Sequence, residues 1–312
     1  MKKLSFYNFS ALILIILSLP GCLKDNTQEF KDQEMELLQQ YIEDNDITQE
    51  PTASGLYYIS IDPGTIIPVQ LDDYVDLEFT TELLASGVVL YTSDPAVAKE
   101  NDLYNENIVY GPWRTRVGYT GIPGLDEGMT YMNIGGQATL IMPSDINGYG
   151  ALYTDRSPSY STHIWTIEIV DAFDDPVSFE AEQISAYLDS NDIDLPLTTE
   201  SGLYYVVHQE GEGDFISDVP DATMWYKGMF IDGRVFESNL DASAINIHTN
   251  EDAILFQTEA WEELTTLLQQ GSKATVIIPY DLAFGEGHAI YMPLPYMTLV
   301  YEIEIVAAVT VE

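Results

Sequence analysis

The chain carries one pattern of apolar and polar positions twice, in the same order. Leu38, Tyr41 and Ile42 fall at helical spacing, and so do Ile184, Tyr187 and Leu188, each set at i, i+3 and i+4. A strand is predicted after each helix, over Leu56 to Ile61 and over Leu203 to His208. Val75, Leu77 and Phe79 then alternate with Asp76, Glu78 and Thr80, as in a strand with one face buried. The last strand of each stretch alternates too. Trp165, Ile167 and Ile169 in the first, and Tyr301, Ile303 and Ile305 in the second, turn inward, while Glu168, Glu302 and Glu304 turn out. A short helix is predicted before each last strand. In the second stretch it covers Glu259 to Leu268, with Trp261, Leu264 and Leu268 on one face. Several antiparallel strands and one packed helix per stretch make each unit α+β.

The residues repeat as well as the pattern. Tyr41-Ile42-Glu43-Asp44-Asn45-Asp46-Ile47 returns as Tyr187-Leu188-Asp189-Ser190-Asn191-Asp192-Ile193. Ser54-Gly55-Leu56-Tyr57-Tyr58 returns as Ser201-Gly202-Leu203-Tyr204-Tyr205, and Ala138-Thr139-Leu140-Ile141-Met142-Pro143 as Ala274-Thr275-Val276-Ile277-Ile278-Pro279. Such ordered self-similarity reads as a tandem duplication. The copies differ chiefly by an insertion in the first, between Tyr91 and Tyr119, which is long enough to cover that copy's own site. Asp171, Asp174 and Asp175 read as a solvated linker ending at Pro176.

Composition changes the picture at one end. The 312 residues hold 11 Lys+Arg against 51 Asp+Glu, a formal net charge of −40, and 21 tyrosines. That many aromatics belong to a folded body and not to an acidic disordered tail. The charge repels phosphate backbones, so nucleic-acid partners are excluded, and it opposes docking on anionic lipid through side chains. Residues 1–21 nevertheless read as a leader: Lys2 and Lys3, then an apolar run from Ala11 to Leu19 too short to span a bilayer. The run ends in Leu19-Pro20-Gly21-Cys22, which resembles the lipobox of bacterial lipoproteins. That resemblance implies cleavage before Cys22, acylation of its thiol, and a place in the bacterial cell envelope. Leu23 after the cysteine favours the outer membrane. Cys22 is the one cysteine, so no intrachain disulfide can form. His163, His208, His248 and His288 lack paired spacing, and no metal or cofactor is expected.

The first copy contains Gly121-Ile122-Pro123-Gly124-Leu125-Asp126-Glu127-Gly128-Met129, and the second Tyr226-Lys227-Gly228-Met229 with Asp232-Gly233-Arg234-Val235-Phe236-Glu237-Ser238. The second adds Trp261, Ile278-Pro279, Ala283-Phe284-Gly285 and Thr298-Leu299-Val300-Tyr301. In this order and spacing the segments resemble FKBP-type peptidyl-prolyl isomerases. The resemblance implies two tandem FKBP-like domains, each an antiparallel β-sheet wrapped on one short α-helix and preceded by an amphipathic helix. Residues 22–50 would be tether and helix, 51–173 the first domain, and 174–312 a helix plus the second.

It also implies a site in the second domain built from Tyr226, Phe236, Glu237, Trp261, Phe284 and Tyr301, with Trp261 at its floor. Glu237 stands where the family usually has Asp, and Phe284 replaces a tyrosine. Thr258 occupies the place of an Ile, and Met292-Pro293-Leu294-Pro295 varies the usual I-P-P loop. The first domain's counterpart would be Phe79, Leu90, Tyr91, Ile122, Leu125, Tyr149 and Trp165, a degenerate set with Tyr91 in the acid's place. Every one of these aromatics also fits a plain role in the core of a small sheet-on-helix domain. Three functions stay open: an isomerase assisting Pro-containing segments of exported proteins, a non-catalytic peptide-binding or assembly module, and a glycan-capturing lipoprotein.

Overall fold

The computed structural model describes residues 26–106, 108–194, 196–219, 221–240, 243–246, 253–285 and 296–309. The leader, Cys22, His248, His288 and the Met292–Pro295 loop lie outside the described residues. The first repeat comprises α1 (Thr27–Asp44), β1 (Tyr57–Asp62), β2 (Tyr74–Leu83), β3 (Val88–Thr92), α2 (Pro95–Glu100), β4 (Trp113–Arg116), α3 (Pro123–Met129), β5 (Gln137–Met142) and β6 (His163–Phe173). The second comprises α4 (Pro176–Ser190), β7 (Leu197–Thr198), β8 (Tyr204–Gln209), β9 (Asp221–Phe230), β10 (Val235–Ser238), β11 (Ile245–Asn246), α5 (Ala260–Thr265), β12 (Lys273–Ile278), α6 (Tyr280–Ala283) and β13 (Leu299–Val309).

The two sheets share one topology. Strand order is β1-β5-β6-β2-β3 in the first and β10-β9-β13-β12-β8-β7 in the second, with β4 joined to β2 and β11 to β9. Read from β8, the second order reproduces the first strand for strand, and neighbouring strands pair antiparallel.

Strand periodicity explains where the cores sit. Successive side chains alternate faces, so Leu140 and Met142 join Trp165, Ile167, Ile169, Leu125 and Met129 on the α3 side. Ile141 and Ile164 point the other way, against Leu38 and Ile42 of α1. The second repeat divides likewise: Val276, Ile278, Tyr301, Ile303 and Leu264 on one side, Ile277, Val300 and Ile184 on the other. The central strands read as continuous apolar runs because helices cover both faces there.

Each outer helix is also held by a carboxylate at the same register. Glu34 of α1 accepts hydrogen bonds from Ser144 N (2.7 Å), Ser144 Oγ (2.6 Å) and Thr162 Oγ1 (2.9 Å). Glu180 of α4 accepts from Tyr280 N (2.7 Å) and Thr298 Oγ1 (2.5 Å).

Two local readings need correction. Asp171 lies inside β6, opposite Asp76, and the strand runs on to Phe173. Asp175 is the N-cap of α4, its carboxylate accepting from Val177 N and Ser178 N, with Pro176 in the first turn. The acidic cluster is thus a strand end and a helix cap, not a linker. The helix expected over Glu259 to Leu268 stops at Thr265. The Thr265 and Thr266 hydroxyls donate back to Glu262 O and Glu263 O, and the Thr266 and Leu267 amides bond three residues back, tightening the last turn. Among the described residues no helix is long and apolar enough to cross a membrane.

Candidate functional site

In the second repeat, strand pairing brings three elements to one point. Tyr301 on β13 stands opposite Gly228 on β9, and Gly228 stands opposite Glu237 on β10. A Cβ on Gly228 would lie 2.7 Å from Tyr301 Cε1, 2.9 Å from Phe236 Cε2 and 3.0 Å from Glu237 Cγ. The missing side chain is therefore the space into which the site closes.

Glu237 is the polar centre. Its carboxylate accepts from Tyr301 Oη at 2.5 Å, Ile254 N at 3.0 Å, Leu255 N at 3.1 Å and, more weakly, Tyr226 Oη at 3.5 Å. Burial raises the Glu237 pKa, and these four donors oppose that rise. Burial and the neighbouring carboxylate also push both tyrosine hydroxyls up, so they remain donors. The two amides come from a 3-10 turn, Ile254–Gln257. Neither they nor the Tyr301–Glu237 bond are readable from residue spacing.

Around this centre Phe236 meets Tyr301 edge to face, ring centroids 5.7 Å apart at 82°, and lies 5.0 Å from Phe230. Trp261 is half-buried at the start of α5 with its ring 4.5 Å from Phe256, a neighbour the sequence did not single out. Phe284 closes α6 and packs on the same core. Asn239 holds the β9–β10 hairpin, accepting from Tyr226 N at 2.7 Å and donating to Met224 O at 3.0 Å. The structure thus brings Tyr226, Phe236, Glu237 and Tyr301 together, while Trp261 and Phe284 pack on the same hydrophobic core. The amide of Thr258 donates to Leu255 O at 3.1 Å, and its hydroxyl to the same carbonyl at 2.7 Å. Both groups are used within the turn.

The first repeat meets the same register with other residues. Trp165 stands opposite Thr81, and Thr81 opposite Tyr91. Thr81, where the second repeat has Gly228, is buried and bonds the Tyr91 backbone at 3.0 Å. Tyr91, in the acid's place, is 44% exposed. Phe79 and Trp165 stack at 5.4 Å, while Leu90 and Leu125 are fully in the core and Ile122 packs at its edge. Tyr149 stacks on Tyr91 at 6.5 Å and lies 5.0 Å from the His163 ring. Phe79, Trp165, Leu125 and Ile122 therefore share one core, Leu90 is buried apart from that cluster, and Tyr91 and Tyr149 form an outer pair. The insertion does reach this core, since Trp113 lies edge-on to Phe79 at 4.6 Å. Its Val109, however, packs on the second repeat.

His163 is buried, with Nε2 2.8 Å from Ser157 Oγ and Nδ1 unpartnered among the described residues. Burial pushes its pKa down to about 4. No three His, Cys, Asp or Glu side chains among the described residues converge to hold a metal ion.

Residues 214–306 match the family model described as FKBP-type peptidyl-prolyl cis-trans isomerase. Within the second repeat the chain is thus similar to that family. The FKBP-type 22 kDa peptidyl-prolyl cis-trans isomerase of Escherichia coli K12 is 36% identical over 108 residues, 35% of this chain and 50% of its own length. The probable FKBP-type isomerase FkpA of Neisseria meningitidis serogroup B is 34% identical over 113 residues, 35% of this chain and 39% of its own. The match therefore spans half or less of each relative. Among solved structures, FkpA from Escherichia coli aligns over 43% of this chain and 60% of its own at 24% identity, with a TM-score of 0.35. A wheat protein with three FKBP domains aligns over 83% and 97% at 18% identity, with a TM-score of 0.32.

Two outcomes follow from the geometry. Gly228→Ala should displace Phe236 or Tyr301 and lower stability by about 1–3 kcal/mol in chemical denaturation, the usual cost of overpacking. For His163, a depressed folded-state pKa means the unfolded chain binds its proton first. Its contribution to stability is complete above the ordinary histidine pKa of about 6.5 and lost as pH falls towards about 4, a change of up to about 3 kcal/mol. Melting curves of His163→Gln across that window should show a shallower acid loss than wild type.

Proposed function

We propose that the second repeat is a peptidyl-prolyl cis-trans isomerase acting on Pro-containing segments of exported proteins. The observation that carries this reading is the aromatic enclosure closed over Gly228 around a buried carboxylate. The match of residues 214–306 to the isomerase family model supports it.

The chemistry needs neither nucleophile nor metal. Twisting an amide out of plane costs about 18–20 kcal/mol, because resonance between nitrogen and carbonyl is lost. For X-Pro bonds both isomers are populated and their exchange is slow. Planar amides owe stability to charge separation, which a water-poor aromatic enclosure solvates badly. The twisted, less polar amide loses less on entering it, so transition-state binding exceeds ground-state binding. Phe236, Trp261, Phe284 and Tyr301 supply the enclosure for the proline ring. Glu237 is engaged by Tyr301, Tyr226 and two amides, so its first role is to hold the wall in place.

In the first repeat the carboxylate is missing, Thr81 fills the glycine's space, and Tyr91 faces solvent. We assign it a binding or purely structural part. Anchoring in the bacterial envelope, at the outer membrane, follows from the lipobox-like Leu19-Pro20-Gly21-Cys22. Since α1 begins at Thr27, the tether between anchor and body would be short.

Full-length protein should accelerate proline-limited refolding of a model substrate. Trp261→Ala should lower kcat/KM by on the order of tenfold, the scale of a lost apolar contact in a substrate pocket. No acceleration by the wild type would sink the isomerase reading. Location has its own test: wild type should take up labelled fatty acid and partition into the detergent phase, and Cys22→Ala should not. Equal partition of the two proteins would refute the anchor.

A further inference from the structure

The first turns of α1 carry apolar side chains that the fold leaves uncovered. Leu38 and Ile42 pack inward on the sheet, whereas Phe30 and Leu37 are 46% and 45% exposed. Beside them the connection between β5 and β6 presents Leu152 and Tyr153, 62% and 75% exposed. One feature joins the two segments: Phe30, Gln33, Leu37, Tyr153, Pro158 and Tyr160 line a groove of about 390 Å³. Phe30 stacks on Tyr160 with ring centroids 6.0 Å apart, and Thr27 Oγ1 lies 3.3 Å from Tyr160 Oη.

The fold itself does not require these side chains. Glu34 and Glu180 hold their helices at the same register, and at the places of Phe30 and Leu37 the second helix has Pro176 and Gln183. A contiguous exposed apolar face of this kind marks an interaction surface.

What covers it follows from where α1 starts. Thr27 is five residues beyond Cys22, and five residues span at most roughly 17 Å however they are arranged. A lipid chain on Cys22 therefore keeps the start of α1, with the groove beside it, close to the membrane. Ile66 is more exposed still, at 96%, but it lies at the other end of the sheet. Its neighbour Thr65 donates to Ile134 O ahead of β5, while Glu34 binds Ser144 beyond the end of β5. The six residues of that strand separate the two ends by about 20 Å.

Charge selects the lipid. Glu29 and Asp32 on α1 and Asp155 in the connection are exposed, in a chain of net charge −40. Anionic headgroups are repelled by such a face, and neutral ones are not. Tyrosine, with an apolar ring and a polar tip, suits the boundary between headgroup and hydrocarbon.

We propose that the face formed by Phe30, Leu37, Leu152 and Tyr153 seats in the interface of a neutral phospholipid bilayer. The seat fixes one orientation of the body on the membrane, which a tether alone does not. The inference rests on the lipid anchor at Cys22 and names the surface of the anchored body that meets lipid.

The test uses the full-length protein, acylated and reconstituted into vesicles of phosphatidylethanolamine and phosphatidylcholine. With the Cys22 thiol acylated, an introduced cysteine is the one site for a nitroxide label. Labels are placed by Leu37→Cys, Tyr153→Cys and, as control, Ile66→Cys, all exposed positions whose replacement leaves the core intact. Collisions with oxygen, which concentrates in lipid, and with a water-soluble nickel chelate are read from spin-resonance saturation. Labels at 37 and 153 should meet oxygen and escape nickel, at a depth of about 5–10 Å or less. The label at 66 should meet nickel. Raising the salt should leave this unchanged, because apolar seating is not screened. Phe30→Ser combined with Tyr153→Ser should return the label at 37 to water; a label still in lipid would mean that the tether alone holds it there, and the inference falls. Labels shielded from both probes place protein on the face, such as a second copy, and overturn it too. Vesicle-bound protein with every label in water refutes the inference and leaves the anchor standing. A wild type that takes up no fatty acid and leaves the vesicles refutes the anchor, and the inference with it.

Discussion

A carboxylate removed from water must be bonded on every side, and in the second repeat the site is organised around that requirement. Removing such a group from solvent costs several kcal/mol unless partners replace the lost hydration. Glu237 takes its replacements from Tyr301 on β13, Tyr226 on β9 and two amides of the turn at Ile254 and Leu255. One group thereby ties two strands and a loop to the hairpin that bears it. The ties close only because Gly228, between them, carries no side chain. Phe236 and Tyr301 pack into the space that Gly228 leaves open.

The first repeat shows the fold with that constraint removed. Its sheet has the same order, and Ser93 holds Phe79 N as Asn239 holds Tyr226 N. The outer helix is docked by Glu34 as the second is by Glu180. At the site, however, Thr81 supplies the side chain that Gly228 lacks, and stacked Phe79 and Trp165 fill the interior. No buried charge needs satisfying there. The features common to both copies are those that hold sheet to helix, and those that differ surround the enclosure.

The linkage between repeats uses cations in a chain that has few. Of 11 Lys and Arg against 51 Asp and Glu, Arg114 and Arg234 both bridge the copies. Each bonds an acid of its own repeat, Asp76 or Asp232, and main-chain carbonyls of the other. Carbonyl acceptors make this joint independent of a second acidic partner, which suits a body so strongly negative.

Much of the architecture is legible along the chain because it rests on local periodicity. Alternation in β2, β6 and β13 and the helical spacing of Leu38, Tyr41 and Ile42 fix which face each residue presents, and that survives any tertiary context. The duplication follows from direct comparison of Ala138–Pro143 with Ala274–Pro279. Motif order also brought together Tyr226, Phe236, Trp261, Phe284 and Tyr301. The early stop of α5, by contrast, depends on where Thr265 and Thr266 turn their hydroxyls, and the acidic stretch at Asp171 to Asp175 is read only once its strand partner is known.

What the sequence by itself determined is the repeated α+β unit, its inward faces and the residue types available to the site. Only the tertiary structure decided that Glu237 is bonded by Tyr301, that Thr81 fills what Gly228 leaves open, and that Val109 packs on the other copy. The reason is physical: periodicity encodes the direction of a side chain relative to its own backbone. The partner it meets depends on strand register and on the packing of one repeat against the other, contacts made across scores of residues that leave no spacing to read.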